Sequence, residues 1–220
     1  MEKTEILTYV DHTLLARDAT PSQITELCRQ AEQHHCASVC IPPSLVRYAK
    51  EEKERHGWRI PLCTVIGFPM GYSSTKSKCD EAANAICDGA EEIDMVISLG
   101  DLKGGRVDLV TEEIRAVKAV CGNKVLKVIV ESSLLTEAEK RQICEAVIEG
   151  GADFIKTSTG FFGTHATVED VRLFSDVANG RIRVKASGGI GSFDDAAALL
   201  AAGASRLGTS RLVSAMEGEK

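Results

Sequence analysis

Residues 151–156 read Gly-Ala-Asp-Phe-Ile-Lys, and this phrase is informative because it recurs along the chain. Gly-Ala also precedes strand-like residues at 91–94 and 205–208, and Cys-Ala precedes such residues at 38–40. The four alanines, at positions 37, 90, 152 and 204, are spaced by 53, 62 and 52 residues, so each interval can hold two strand–helix units. The same pattern of helix end, turn and strand thus recurs four times. This recurrence indicates a closed barrel of eight strands, in which the four strands that follow the alanines are strands two, four, six and eight.

Short β-branched runs alternate with longer helical patterns over the whole chain, which is typical of βαβ units and a parallel sheet. We predict eight strands, at residues 7–11, 38–41, 62–66, 93–97, 125–131, 154–157, 182–186 and 206–208. Capping-box patterns at 20–23 and 136–139 mark the starts of two of the intervening helices. No Gly-x-Gly-x-x-Gly turn follows the first strand, which argues against an open doubly wound sheet. The sequence therefore predicts one α/β domain over residues 1–220, a (β/α)8 or TIM barrel.

Composition excludes several classes of protein. The chain has 220 residues, of which 44% are hydrophobic and 26% charged, as expected for one globular domain. Its formal charge of −6, with lysine and arginine scattered, argues against a nucleic-acid partner. It has no apolar run of the ~20 residues that a membrane helix needs, and no signal-peptide pattern, so we expect a cytoplasmic protein. The eight cysteines lack CxxC spacing, which favours reduced thiols and no metal site.

Three predicted strands carry an ionisable residue inside an otherwise apolar run: Asp94 in strand four, Lys156 in strand six and Lys185 in strand seven. Burying an unpaired charge costs several kcal/mol, so each of these residues requires a partner or a function. Strands six and seven are neighbours in a barrel. If both lysines point inward, their ammonium groups converge above the core.

Two adjacent ammonium groups favour the loss of one proton, so a neutral amine is expected near pH 7. Such an amine attacks a carbonyl to form an iminium, which accepts electrons when the neighbouring C–C bond breaks. Asp94 could then exchange protons with Lys185 through water. Alternatively, an inward lysine forms only a structural salt bridge; two lysines beside an aspartate favour catalysis. Lys127, four residues before Glu131 on strand five, is interpreted as a deeper supporting residue that pairs with a carboxylate such as Asp94.

Glycine-rich turns follow the last three strands, at residues 157–160, 187–191 and 208–210. Backbone N–H groups in such turns bind phosphate, and the loops after strands seven and eight are the usual phosphate site of this fold. The alternative is that the glycines only end the strands. Three adjacent turns favour a phosphorylated small carbonyl compound as the ligand.

Five longer motifs resemble the deoxyribose-phosphate aldolase family: DHTLL at 11–15, CTVIGFPMG at 63–71, EIDMVI at 92–97, KTSTGF at 156–161 and VKASGGI at 184–190. The resemblance extends from about residue 8 to residue 213. It implies a TIM-barrel class I aldolase that reversibly converts 2-deoxy-D-ribose 5-phosphate into D-glyceraldehyde 3-phosphate and acetaldehyde, in deoxynucleoside catabolism. It also implies that the enzyme works without a metal or cofactor.

The resemblance also assigns roles to individual residues. It implies that Lys156 forms the Schiff base, that Lys185 perturbs it and relays protons, and that Asp94 is the partner in proton transfer. The residues implied to bind phosphate are Gly160, Gly188, Gly189, Gly208 and Ser210, and those implied to contact substrate hydroxyl groups are Asp11 and Thr159. A homodimer is expected, because dimers are common in such barrels. One departure is Arg211, which follows Ser210 where the family frequently has a second small residue.

Three other functions fit parts of the same pattern. A barrel isomerase or synthase acting on a phosphosugar would need Glu131 or His165 as its base, and neither residue explains the two strand lysines. Another class I aldolase would share the lysine chemistry with a different substrate. A non-catalytic phosphate-binding barrel would bind the ligand without forming a covalent adduct. Borohydride reduction in the presence of acetaldehyde distinguishes the aldolase, because only a Schiff base is trapped.

Overall fold

Eight parallel strands form a closed barrel in the computed structural model, which describes residues 1–163 and 165–218. The strands are β1 (Val10–Thr13), β2 (Ser38–Ile41), β3 (Leu62–Ile66), β4 (Glu92–Val96), β5 (Val125–Ile129), β6 (Phe154–Lys156), β7 (Arg183–Ser187) and β8 (Arg206–Thr209). Each strand pairs with its neighbours along the chain, and β8 pairs with β1 to close the barrel. The predicted fold class, a (β/α)8 barrel, is therefore confirmed.

Helices connect the strands and surround the barrel. In the described residues they are α1 (Lys3–Leu7), α2 (Pro21–Gln33), α3 (Val46–His56), α4 (Thr75–Asp88), α5 (Leu99–Lys103), α6 (Val107–Cys121), α7 (Glu137–Glu149), α8 (Val168–Ala178), α9 (Phe193–Ala201) and α10 (Leu212–Gly218). Both predicted capping boxes are present, at Thr20 before α2 and at Thr136 before α7. None of these helices combines the length and the apolar character needed to cross a bilayer.

Several predicted strand boundaries differ from the observed ones, and two of the differences have a clear physical reason. Leu7 was predicted to begin the first strand, but it is the last residue of α1, whose buried side chains Ile6 and Leu7 join the main core. A short apolar run can form either a helix or a strand, and here packing decides the outcome. At the other boundary, β5 ends at Ile129 rather than at Glu131. Glu131 adopts the left-handed conformation, with φ of +51°, which takes the chain out of the strand.

The two faces of the strands have different chemistry because successive side chains point to opposite sides. One outward residue from each strand packs with the helices in the main hydrophobic core: Val10, Val39, Leu62, Ile93, Leu126, Ile155, Val184 and Leu207. The interior of such a barrel is usually filled with branched apolar side chains. Here many of the inward positions carry charges instead: Asp11, Glu92, Asp94, Lys127, Lys156, Lys185 and Arg206.

Candidate active site

Asp94 is the centre of a buried ion cluster inside the barrel. Its Oδ2 atom lies 2.7 Å from the Nζ atom of Lys156 and 2.7 Å from that of Lys185. The two lysines occupy directly opposed positions on β6 and β7, so the sheet register itself brings their ammonium groups together. The other carboxylate oxygen, Oδ1, is 2.8 Å from Lys127 Nζ. The convergence of the two strand lysines, and the pairing of Lys127 with Asp94, are as predicted.

A second group of charges lies next to this cluster in the barrel interior. Asp11 Oδ2 contacts Lys185 Nζ, and Asp11 Oδ1 is 2.6 Å from Arg206 Nη1. Glu92 Oε2 is 2.6 Å from Lys127 Nζ and 3.1 Å from Arg206 Nη1. Sequence reasoning missed Glu92 and Arg206 as members of the cluster. Glu92 could have been found, because it lies two residues before Asp94 and therefore faces the same side of β4.

The carboxylates and lysines of the cluster hold each other in their charged forms. Burial alone would raise the pKa of the Asp94 carboxyl, but the three lysines outweigh burial and hold that pKa well below its usual range. Burial would likewise lower the pKa of Lys185, but the carboxylates of Asp11 and Asp94 outweigh it and place that pKa above its usual range. Lys185 and Asp94 are therefore both ionised near neutral pH, so Lys185 is not the source of a neutral amine.

Lys156 differs from the other cations of the cluster in its number of partners. Lys127, Lys185 and Arg206 each contact at least two carboxylates, whereas Asp94 is the only carboxylate within 4 Å of Lys156 Nζ among the described residues. Counted over the cluster, four cationic side chains face three carboxylates. One positive charge is therefore not matched, and Lys156 has the fewest partners to stabilise it.

A cavity of about 370 Å³ opens at the carboxyl ends of the strands, with Lys156 in its wall. The three glycine-rich turns after β6, β7 and β8 form most of one side of this cavity. All five residues that the resemblance implies for phosphate lie there: Gly160, Gly188, Gly189, Gly208 and Ser210. Thr159 also lines the cavity. The structure thus brings the predicted phosphate residues to the same cavity as the lysine, and phosphate binding by them stays a prediction.

Asp11 is placed differently from the prediction of a substrate contact. Its side chain is fully buried and does not line the cavity. It accepts hydrogen bonds from Lys185 Nζ and from Ser38 Oγ, the latter at 2.7 Å, in addition to its contact with Arg206. The structure therefore favours a role for Asp11 in holding Lys185 rather than in contacting a substrate hydroxyl group.

Gly208 has a steric reason to be glycine besides any contact with phosphate. A Cβ atom on Gly208 would lie 2.9 Å from Ser187 Cβ and 3.2 Å from Lys185 Cε. These distances are shorter than ordinary carbon–carbon contacts, so the missing side chain leaves space for the Lys185 side chain. Sequence analysis interpreted Gly208 as a phosphate residue only, because a clash between strands is not visible in the chain order.

The two candidate bases of the isomerase alternative do not form a common site. Glu131 is buried, and its Oε1 atom accepts a hydrogen bond from the backbone N–H of Thr159. This contact ties the end of β5 to the turn after β6. His165 is exposed and lines the cavity beside Gly189. The carboxylate is thus engaged in holding the turn, which does not favour proton abstraction by Glu131.

The barrel interior also contains thiol and carboxylate atoms that could bind a metal. Among the described residues, Cys40, Cys63 and Asp94 form one close group, and Asp11, Cys63 and Glu92 form another. The ammonium group of Lys127 lies between them, 3.2 Å from Cys63 Sγ and 2.8 Å from Asp94 Oδ1. Four of these five potential ligands, Cys63, Asp11, Glu92 and Asp94, therefore already contact the Lys127 ammonium group, so the donor set does not fit a metal ion well.

A family model and full-length relatives of this chain all describe aldolases. A family model described as DeoC/LacD family aldolase matches residues 5–210. The deoxyribose-phosphate aldolase of Clostridium botulinum (strain Alaska E43 / Type E3) is 48% identical over 220 residues, which cover 100% of this chain and 98% of that protein. The deoxyribose-phosphate aldolase of Streptococcus agalactiae serotype Ia is also 48% identical, and the match covers 100% of this chain and 97% of that protein.

Solved structures agree with these relatives. A structure described as "QR15, an Aldolase" superposes with a TM-score of 0.91 and 39% identity, covering 98% of this chain and 96% of that one. The deoxyribose phosphate aldolase from Aeropyrum pernix, described as a tetramer, superposes with a TM-score of 0.88 and 28% identity. That match covers 100% of this chain and 94% of the Aeropyrum chain.

Proposed function

The chain belongs to the DeoC/LacD aldolase family, and we propose that it catalyses the reversible cleavage of 2-deoxy-D-ribose 5-phosphate into D-glyceraldehyde 3-phosphate and acetaldehyde. This is a step of deoxynucleoside catabolism. One observation carries the proposal: Lys156, whose Nζ atom shares Asp94 Oδ2 with Lys185, also lines the cavity formed by the glycine-rich turns. An amine and three glycine-rich turns thus face the same cavity, which supports a Schiff-base lysine and a phosphate site there.

We assign the nucleophile to Lys156 because its charge is the least stabilised of the cluster. The other three cations of the cluster face three carboxylates, so Lys156 carries the buried charge that is not matched. Lys185 remains protonated between Asp11 and Asp94 and repels a second positive charge nearby. The Lys156 amine lies at the cavity wall, where a carbonyl substrate can reach it.

The proposed reaction balances in three stages. The Lys156 amine attacks C1 of the open-chain sugar, water leaves, and an iminium forms. The C3 hydroxyl then loses its proton and the C2–C3 bond breaks; its electron pair forms the enamine, and C3 becomes the aldehyde carbon of D-glyceraldehyde 3-phosphate. Protonation of the enamine at C2 and hydrolysis of the iminium release acetaldehyde and restore the amine.

Lys185 and Asp94 are the groups placed to move protons during these stages. The Lys185 ammonium group donates a hydrogen bond to Asp94. Asp94 also accepts one from Lys156 Nζ, the nitrogen that becomes the iminium. An ionised Asp94 stabilises the positive charge that develops on that nitrogen. Lys185 then supplies and accepts protons through water, as a general acid and base.

Phosphate recognition is assigned to the three turns at the same cavity. Gly160, Gly188, Gly189 and Ser210 present backbone and hydroxyl groups to it, and Thr159 stands beside them. Gly160 and Gly189 have φ values of +82° and +76°, so glycine allows the turn conformation there without strain. We propose that the phosphate group of the sugar binds at these turns while its aldehyde carbon reaches Lys156.

Assembly and location were also predicted from the sequence. The Aeropyrum relative is described as a tetramer, so at least one member of this family self-associates. We propose a homodimer for this chain, which light scattering during size exclusion would measure directly. The cytoplasmic location stays a prediction.

Covalent trapping tests the proposed function. The protein is incubated with acetaldehyde and borohydride, digested, and mapped by mass spectrometry, with Lys156→Ala as the negative variant and Lys76→Ala, on the surface of α4, as the matched control. We expect a reduced two-carbon adduct on Lys156 in the wild type and in Lys76→Ala. We expect none in Lys156→Ala, which should also lose turnover of 2-deoxy-D-ribose 5-phosphate.

Three results would contradict this assignment. An adduct on another lysine, together with retained retro-aldol activity of Lys156→Ala, would show that the nucleophile is wrong. Interconversion of phosphosugars without any adduct would favour the isomerase alternative, and phosphate binding with neither adduct nor turnover would favour a binding protein.

A further inference from the structure

Arg211 places a guanidinium group at the phosphate end of the cavity. It directly follows Ser210, and its backbone N–H donates to Thr209 Oγ1 at 3.1 Å. The side chain extends over the turn after β7, because Nη1 would lie 3.3 Å from a Cβ atom built on Gly191. Arg211 is exposed and lines the same cavity as Lys156 and the glycine-rich turns.

The guanidinium group of Arg211 has no carboxylate within 4 Å in the part of the chain that the structure describes. Other exposed arginines behave differently: Arg47 binds Asp88 at 2.5 Å, and Arg181 binds Glu145 at 2.7 Å. A guanidinium fork matches the oxygen atoms of a phosphate group and forms charge-assisted hydrogen bonds with them. The unpaired fork of Arg211 is therefore available to an anion in the cavity.

Besides Arg211, the described lining of the cavity has two side chains that can carry a positive charge, Lys156 and His165. Its glycine-rich turns supply neutral hydrogen-bond donors, and its lysine, Lys156, is assigned to the reacting carbon. The chain as a whole carries a formal charge of −6, which opposes the approach of a dianion. A fixed cation at the phosphate end changes the local potential in favour of a phosphorylated substrate.

We propose that Arg211 binds the substrate phosphate and makes this enzyme selective for phosphorylated over unphosphorylated deoxy sugars. The proposal rests on the proposed aldolase function. It assigns to Arg211 a specificity role for the phosphate group and no role in bond cleavage. Because the phosphate does not react, its contact with Arg211 is the same before and during the chemical step, so loss of the contact raises KM and leaves kcat nearly unchanged.

Kinetics on two substrates test this role. The values of kcat and KM are measured for 2-deoxy-D-ribose 5-phosphate and for 2-deoxy-D-ribose with the wild type, Arg211→Gln and Arg211→Lys. The control is Arg17→Gln, which removes the same charge from an exposed arginine that lines a neighbouring cavity and not this one. For Arg211→Gln we expect kcat/KM on the phosphorylated sugar to fall about 10- to 100-fold, mainly through KM. Activity on the unphosphorylated sugar should change less than about twofold.

Two further observations separate charge recognition from a structural effect. Arg211→Lys should recover part of the lost selectivity, because it restores the charge without the planar fork. Added salt should reduce the preference of the wild type for the phosphorylated sugar more than that of Arg211→Gln, since screening weakens an exposed charge contact. Equal losses on both substrates, or an unchanged KM for the phosphorylated sugar, would overturn the proposal.

Calorimetry with inorganic phosphate keeps this test separate from the proposed function. If the wild type cleaves neither sugar, the aldolase assignment fails, and the affinity for phosphate still tests Arg211. We expect Arg211→Gln to bind inorganic phosphate at least about 10-fold more weakly than the wild type and Arg17→Gln. Equal affinities in the three proteins would overturn the role of Arg211.

Discussion

Removing one carboxylate from the buried cluster should destabilise the fold much more than removing one lysine. Asp94→Asn keeps the shape of the side chain but leaves four cations with two carboxylates. Its amide NH2 group would also face ammonium donors, since both oxygens of Asp94 accept bonds from lysines. Lys156→Met removes a cation at similar volume and leaves three cations with three carboxylates. We therefore expect a large loss of stability from the first change and little or none from the second.

The size of the difference follows from the burial of these groups. Asp94 is 0% exposed and Lys156 is 3% exposed, so bulk water cannot replace a lost partner. Removing one member of a buried ion pair costs about 3–5 kcal/mol when it leaves uncompensated charge. For a domain of this size each kcal/mol lowers Tm by about 2–4 °C, so Asp94→Asn should lower Tm by roughly 6–20 °C. Replacing a buried charge by an apolar side chain of like volume is often neutral or stabilising, so Lys156→Met should stay within about 1 kcal/mol of the wild type.

Urea unfolding at pH 7 and one fixed protein concentration measures both changes, with calorimetry as a second readout. The double variant, Asp94→Asn with Lys156→Met, should regain part of the stability that Asp94→Asn loses, because the unmatched charge becomes smaller. Equal destabilisation by the two single variants would refute the charge count. So would a double variant that is no more stable than Asp94→Asn alone.

Further expectations concern the same cluster. Gly208→Ala should push on the Lys185 side chain, cost about 1–3 kcal/mol of stability and lower kcat about 10²-fold, whereas Gly100→Ala, which meets open space, should do neither. The pKa values of Asp11 and Asp94 are held below their usual range, so the folded state binds fewer protons than the unfolded state; unfolding free energy should fall as pH drops below about 4, and less steeply in Asp94→Asn. Lys185→Leu removes the proposed general acid beside the nucleophile, so kcat should fall about 10²-fold or more; an unchanged kcat would contradict that role.

Much of the fold was predictable because its signals are local. The Gly-Ala or Cys-Ala pair before alternate strands depends on a few adjacent residues, and so do the capping boxes. All eight strands are found where the sequence predicts them or within a few residues. The first strand begins at Val10, three residues later than predicted, because Leu7 packs as part of a helix. Nothing in the local sequence distinguishes an apolar residue at a helix end from one at a strand start, so only tertiary packing resolves it.

The site residues were predictable where the alternation of side chains along a strand shows which of them point inward. They were not predictable where a contact depends on which strands meet when the barrel closes. Lys156 and Lys185 had to converge once β6 and β7 were adjacent and in register. The contact of Arg206 with Asp11 joins β8 to β1 across the closure of the barrel, and chain order does not reveal it. The placement of Asp11 beneath Lys185 rather than at the cavity wall has the same origin.

The excess of cations in the cluster connects the stability of the barrel with its chemistry. A fully matched cluster would be the more stable arrangement, because every buried charge would have a partner. One cation is unmatched, and the amine with the fewest carboxylate partners, Lys156, is also the one that lines the cavity. The same imbalance that weakens the interior therefore lies at the place where a carbonyl substrate enters. A barrel lined by apolar residues at these positions would be more stable and would have no nucleophile.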